Sequence, residues 1–343
     1  MNDAINRWNE FWFRPSPSSQ LQAIRRGLCV VTAIYFAAAL PDVDTWFVQG
    51  APASSSNLAT FFRTAELTSD ARWMVSPLFV WDSVFAGSAL GESGLVYRAY
   101  LVVGIILAVM VAFADRLSTQ NMPGWASRLL QTSWPMVVLW VWLVGWANRV
   151  VLLAGITEPL LSVSLAALAI APIGSVARKD GDHDSLQAMQ SGTWRATLAR
   201  RLLAAQATLI AIMTTASMLA STAWWNGTGA YALVAPQEDR LISVVGTVFE
   251  RPVFFEMLTM LIVCTLPIGI VLAWRDGTRR LGVALVIAWC CLVGLLSANI
   301  LHAATLGIIA TSIGWGHGSH TPAGADGANS LNGGSVELTD STT

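Results

Sequence analysis

Residues 281–313 read LGVALVIAWCCLVGLLSANILHAATLGIIATSI, a run without a single Asp, Glu, Lys or Arg. As one straight α-helix it would be about 50 Å long, against a bilayer hydrocarbon core of about 30 Å. It is therefore expected to tilt, kink or protrude, with Gly294, Ser297 and Asn299 marking the bend, and whether it forms one kinked helix or two stays open. Six further stretches, 21–40, 97–114, 129–147, 159–177, 202–223 and 252–274, come close to the roughly 20 mostly apolar residues that a span needs. The fold class expected is all-α, a polytopic transmembrane bundle of about seven spans.

Composition excludes most alternatives. The 343 residues are 54% hydrophobic and 12% charged, with a mean hydropathy of +0.56, whereas a soluble domain carries about 25% charged residues. An ordinary soluble enzyme is ruled out. Twenty Lys and Arg stand against 21 Asp and Glu, so no basic excess exists to hold a nucleic-acid backbone. The lipid bilayer is the expected partner, and nucleic acid is not. Cys29, Cys264, Cys290 and Cys291 all fall inside apolar runs, which indicates neither a disulfide framework nor a zinc site. HExxH, GxxxxGK[ST] and GxSxG are all missing, and the single lysine, Lys179, lies in a loop. No lysine is therefore placed to act as an intramembrane base, and no metal site is expected.

Three units are expected: an inner N-terminal segment over 1–20, a membrane domain over 21–315, and an outer tail over 316–343, disordered because it is rich in Gly, Ser, Thr and Asn and poor in apolar residues. Residues 1–20 are polar and contain proline, unlike a cleavable signal peptide. With the N-terminus inside, the inner segments hold 14 of the Lys and Arg residues and the outer segments 6. The positive-inside rule then puts the N-terminus in the cytoplasm and, after seven spans, the C-terminus outside. Helical spans suit an inner membrane if the cell is bacterial. The outer stretches 41–96 and 226–251 carry aromatic clusters, the pattern of interfacial segments. Most of the sixteen tryptophans are expected in interface belts.

Ionisable groups at membrane depth need a partner or a purpose. Arg149 closes the third span and Glu158 opens the fourth, Glu250 and Glu256 bracket the start of the sixth, and His302 lies well inside the last run. For Arg149 and Glu158 the simplest account is an ion pair across the short connection between them. The functional account has Arg149 hold an anionic headgroup or a substrate carboxylate with its donor fork. His302 either bonds to a neighbouring helix or, as the one candidate catalytic residue, moves a proton. An outward-opening pocket of Arg149, Glu158, Trp224, Gly227, Tyr231, Glu256 and His302 would offer aromatic faces to a planar or isoprenoid ligand.

Several short motifs occur in a familiar order. Phe13-Arg14-Pro15 and Ala23-Ile24-Arg25 lead into the first span, and Asp115-Arg116-Leu117 ends the second. Asn148-Arg149, Gly155-Ile156-Thr157-Glu158-Pro159-Leu160-Leu161 and Ala171-Pro172-Ile173-Gly174 mark the third and fourth, Trp224-Trp225-Asn226-Gly227-Thr228-Gly229-Ala230-Tyr231 follows the fifth, and His302 lies in the last. This order resembles the horizontally transferred transmembrane (HTTM) domain, the membrane part of vitamin K-dependent gamma-carboxylases. The W-x-x-G stretch at Trp224–Gly227 is the most specific of these matches. In the carboxylases a lysine shortly before that stretch acts as base; here residues 216–223 contain none. The large domain that follows their bundle is also not expected in the tail. Carboxylation in the strict sense is thus not implied, and whether the chain is an enzyme stays open. The resemblance implies a membrane-embedded role in modification or maturation of an exported peptide, or one linked to an isoprenoid quinone or hydroquinone. The alternatives are a non-catalytic subunit that binds another membrane protein and, third, a transporter, for which internal repeats are missing.

Overall fold

The computed structural model describes residues 2–14, 19–48, 50–54, 57–58, 60–61, 76–85, 88, 94–117, 123–151, 153, 155–173, 193–234 and 251–314. Its principal helices are α1 (Asn2–Phe13), α2 (Ser19–Ala39), α3 (Val43–Phe47), α4 (Pro77–Val84), α5 (Gly94–Ala112), α6 (Ala114–Leu117), α7 (Gly124–Gln131), α8 (Trp134–Arg149), α9 (Thr157–Ala169), α10 (Trp194–Ala220), α11 (Thr222–Trp225), α12 (Gly229–Leu233), α13 (Pro252–Trp274), α14 (Arg279–Ser297) and α15 (Ile300–Gly314). The fold is an all-α membrane bundle. Five of these helices, α2, α5, α10, α13 and α14, are long and apolar enough to cross a bilayer.

Local chemistry sets the helix limits. Thr193 caps α10 with its hydroxyl, which accepts from the Ala196 N–H at 3.2 Å, so this helix starts eight residues before the expected span at 202. The expected span 129–147 divides at Thr132-Ser133, because Pro135 can sit only in the first turn of a new helix. The expected span 159–177 stops at Ala169, just before Pro172, whose ring disfavours helix in the preceding residue. At 13 residues α9 is about 20 Å long. Arg25, buried inside α2, reaches its end and donates to the carbonyls of Pro172 and Ile173 at 3.0 and 2.9 Å.

The long run 281–313, which the sequence left open as one kinked helix or two, is two helices, broken within the expected stretch. Ala298 adopts the left-handed conformation (φ 58°, ψ 8°) after Ser297, and the chain then reverses. Gly294 faces Ala303, Gly307 faces Cys290 and Gly314 faces Val283, so residue numbers fall along α14 as they rise along α15. The two form an antiparallel hairpin, seated through small residues that let the backbones approach. Two helices of 19 and 15 residues, about 28 and 22 Å long, fit a membrane that one 50 Å helix would overrun.

The α2–α5 and α13–α14 neighbours are also antiparallel, the latter with Gly269 against Val286 and Gly282 against Ala273. Phe36 of α2 lies against Gly104 of α5, and Arg26 of α2 pairs with Asp115 of α6, just past the end of α5. Ser164 donates to Gln206 between α9 and α10, and the Trp289 indole donates to the Ile262 carbonyl between α13 and α14. Thr197 donates to the Arg14 carbonyl and Arg201 stacks on Phe11, so α1 lies at the α10 N-terminus; we call this the proximal end. Arg279 is close enough to Arg200 and Arg201 to interact with them, which places the start of α14 there too. Gly314, beside Val283, is therefore also proximal. Phe13 and Gly314 therefore lie at the same end of the bundle. The tail over 316–343 and Glu250 lie outside the described residues.

Tryptophan is divided between belts and core. Trp125, Trp134 and Trp225 are exposed near helix ends, and Trp8 is exposed midway along α1. Trp142 exchanges hydrogen bonds with Tyr100: its indole donates to the Tyr100 carbonyl at 3.0 Å, and the Tyr100 hydroxyl donates to the Trp142 carbonyl at 2.8 Å. Here the indole N–H satisfies backbone polarity inside the bundle, as the exposed Trp225 indole does at the surface by donating to the Leu219 carbonyl.

Candidate functional site

Among the described residues the distal end holds two of the four buried charged side chains, Arg149 and Glu158. Arg149, in the last turn of α8, is fully buried (0% exposed). Its Nε donates to Asp82 Oδ2 at 2.9 Å, its Nη1 to the Ala53 carbonyl at 3.0 Å, and its Nη2 to the Tyr97 hydroxyl at 2.8 Å. Tyr97 in turn donates to Asp82 Oδ1 at 2.7 Å, which closes a three-membered ring of charge-assisted bonds. The guanidinium also lies over the Phe47 and Tyr97 rings, 5.4 and 5.1 Å from their centroids. Ser76 positions α4 for this: it caps the helix through the Leu78 N–H and donates to the Gly145 carbonyl at 2.6 Å. A side chain at Gly145 would meet the Tyr100 hydroxyl and the Pro77 ring, so only glycine lets α4 approach.

Arg149 therefore pairs with Asp82, not with Glu158, and each guanidinium nitrogen already has a partner. The expectation of a free anion fork is corrected by this geometry: a nearer carboxylate on α4 holds the group from across the bundle.

Glu158 is 8% exposed in the first turn of α9. Its Oε1 accepts from the Tyr35 hydroxyl at 2.9 Å and its Oε2 from the Gly155 N–H at 2.8 Å. The Trp146 indole stands as donor to Tyr35, and Trp146 packs on Phe47 at 5.4 Å, so the Glu158 group touches the Arg149 group through aromatic rings. His302 enters from the first turn of α15, with the Ile156 carbonyl beside its imidazole. Its Nδ1 is buried and has no hydrogen-bond partner among the described residues. The short segment Gly155–Glu158 thus carries both contacts, one to the carboxylate and one to the imidazole.

The remaining expected pocket residues form another group. A side chain at Gly227 (φ 76°) would run into Glu256, and Gly229 closes on Trp224. Thr259 donates to the Gly227 carbonyl at 2.9 Å and accepts from the Ala230 N–H at 3.0 Å, while Tyr231 meets Phe255 edge-on at 5.6 Å. The W-x-x-G stretch is thereby a tight turn locked on the first turns of α13, with Glu256 and Tyr231 exposed. Among the described residues, the contacts of Trp224, Gly227, Tyr231 and Glu256 do not join them to Arg149, Glu158 or His302. An apolar groove of about 410 Å³ between α14 and α15 is lined by residues including Cys290, Gly294, Ala303 and Gly307. His302 falls about half a turn away from that stripe, so imidazole and groove occupy opposite faces of α15. Among the described residues no group of three His, Cys, Asp or Glu side chains could hold a metal ion.

Sequence reasoning missed Asp82, Tyr97 and Tyr35. Two signals pointed to them. The chain has only four tyrosines, two of them here, and a phenol within a span needs an acceptor. Asp82 directly follows the apolar Phe79-Val80-Trp81, where a carboxylate needs a donor.

Neither family models, nor curated proteins, nor solved structures give a match to this chain.

Proposed function

We propose that the chain is an HTTM-like integral membrane protein that binds a lipid-soluble hydroquinone-type ligand at its distal end, between His302 and Glu158. The observation that carries this reading is the unpartnered Nδ1 of His302. A buried nitrogen without a partner costs about 1–3 kcal/mol, and such groups recur at functional sites. With Ile156 as acceptor on one side, the neutral imidazole presents Nδ1 as an acceptor for a ligand hydroxyl. Glu158, held by Tyr35 and Gly155, is a second proton acceptor close to the same segment. The distal face is outward on this reading, because the arginines cluster proximally. Arg149 has no part in ligand contact; it fixes α4 and α8 around the site.

The test is purification into lipid nanodiscs followed by mass spectrometry of the organic extract, for wild type and His302→Ala. An isoprenoid quinone retained by wild type and depleted about tenfold or more in the variant, the size of one lost hydrogen bond, is the expected result. If both preparations carry only bulk phospholipid, the reading is wrong.

A further inference from the structure

At the opposite, proximal end, we infer a binding site for the phosphate-bearing headgroup of an anionic phospholipid, formed by Arg201 and Arg279 under the amphipathic helix α1. This inference is independent of the distal ligand site.

Three observations converge there. First, α1 is built to lie in a membrane interface. Ile5, Trp8 and Trp12 recur on one side while Asp3, Arg7 and Glu10 take the other. Ile5 and Trp8 are 49% and 62% exposed, apolar surface that only lipid would cover at a bundle end. The helix is held by its C-terminus: Thr197 donates to the Arg14 carbonyl at 2.7 Å, and Phe13 meets Trp194 at 5.9 Å.

Second, α10 is too long for the hydrocarbon core. Its 27 residues extend about 40 Å, so its first turns, with Arg195, Arg200 and Arg201, stand at headgroup depth. Arg201 rests on the Phe11 ring at 4.0 Å. Arg279 comes from the α13–α14 turn into coulombic range of Arg200 and Arg201. Cations gathered this closely repel one another unless an anion lies between them.

Third, donor capacity here is in surplus. The Nε atoms of Arg201 and Arg279 and the Trp12 indole nitrogen are buried without hydrogen-bond partners among the described residues. Asp276 pairs with Arg279, yet its own side chain is 83% exposed, so water screens that pair. A phosphodiester supplies one negative charge and several acceptor oxygens, and its acyl chains would lie along the apolar flank of α1. Basic pockets between helices at the cytoplasmic side commonly take such headgroups.

The experiment uses the full chain in nanodiscs of phosphatidylcholine alone or doped with phosphatidylglycerol, with lipids retained on delipidation counted by native mass spectrometry. Wild type is expected to prefer phosphatidylglycerol about 25-fold, roughly fivefold for each of the two arginines. Arg201→Gln and Arg279→Gln should each reduce that preference about fivefold. Arg201→Lys, which keeps the charge, should retain most of it and shows that loss in Arg201→Gln is not misfolding. Arg98→Gln, at the distal end, should leave the preference unchanged. Equal retention of both lipids by wild type, or equal loss in Arg98→Gln, overturns the site. Full displacement of phosphatidylglycerol by inorganic phosphate overturns the lipid as its source, since a free ion would then suffice.

Discussion

Replacing Arg149 by methionine removes the hub of the distal polar ring while keeping a long apolar side chain. Three hydrogen bonds are lost, to Asp82, Tyr97 and Ala53. The larger effect falls on Asp82, whose side chain is 10% exposed and would keep the Tyr97 hydroxyl as its donor. Breaking a buried pair from one side costs about 3–5 kcal/mol; slight exposure of the carboxylate puts Arg149→Met at about 3–4 kcal/mol. Removing both charges is different. Asp82→Leu combined with Arg149→Met leaves no stranded ion, and such replacements are commonly near neutral, so the double variant should lose about 1–2 kcal/mol through the Ala53 carbonyl left without this donor. The assay is reversible unfolding in mixed micelles followed by tryptophan fluorescence, in a complete double-mutant cycle. A coupling of about 2 kcal/mol or more is expected. A loss below about 1 kcal/mol for Arg149→Met, or single-variant losses that simply add, would refute the reasoning.

Tyr35→Phe strips one of two donors from the buried Glu158 carboxylate and should cost about 1–3 kcal/mol in the same assay; Glu158→Gln placed on that background should recover part of it, because a neutral amide needs less solvation. Ala298→Gly should stabilise the α14–α15 hairpin by up to about 1 kcal/mol by relieving a left-handed alanine, whereas Ala298→Val should destabilise it; equal midpoints for the two would contradict a turn at this residue. Reporters fused before residue 2 and after residue 314 should respond from the same side of the membrane. Opposite-side signals would mean that α15 does not return alongside α14.

How much was legible in the sequence varies with the range of the interaction. The helix 252–274 appears at its expected limits, since 23 apolar residues behind a first-turn proline leave the backbone no other way to satisfy its polar groups in lipid. Membrane class and all-α fold follow likewise from apolar content summed along the chain. The ends at Pro172 and Pro135 were written locally, in prolines that the apolar runs 129–147 and 159–177 pass straight through. His302 and Glu158 were visible as polar groups in apolar surroundings, and both lie at the distal end by their contacts with the segment Gly155–Glu158.

The partner of Arg149 was of another kind. Glu158 is nine positions away and Asp82 sixty-seven, and separation along the chain says nothing about which carboxylate the packing of α4 against α8 brings to 2.9 Å. The run 281–313 shows the same division. Its apolarity and its weak point at Ser297-Ala298-Asn299 belong to the sequence, but a kink and a reversal draw on the same residues. Sequence alone determined that this chain lives in a membrane, as helices, with its charges gathered at their ends. Tertiary structure alone decided which of those charges meet and that α15 turns back, because each depends on a surface supplied by distant helices, such as Gly27 of α2 receiving Ile308.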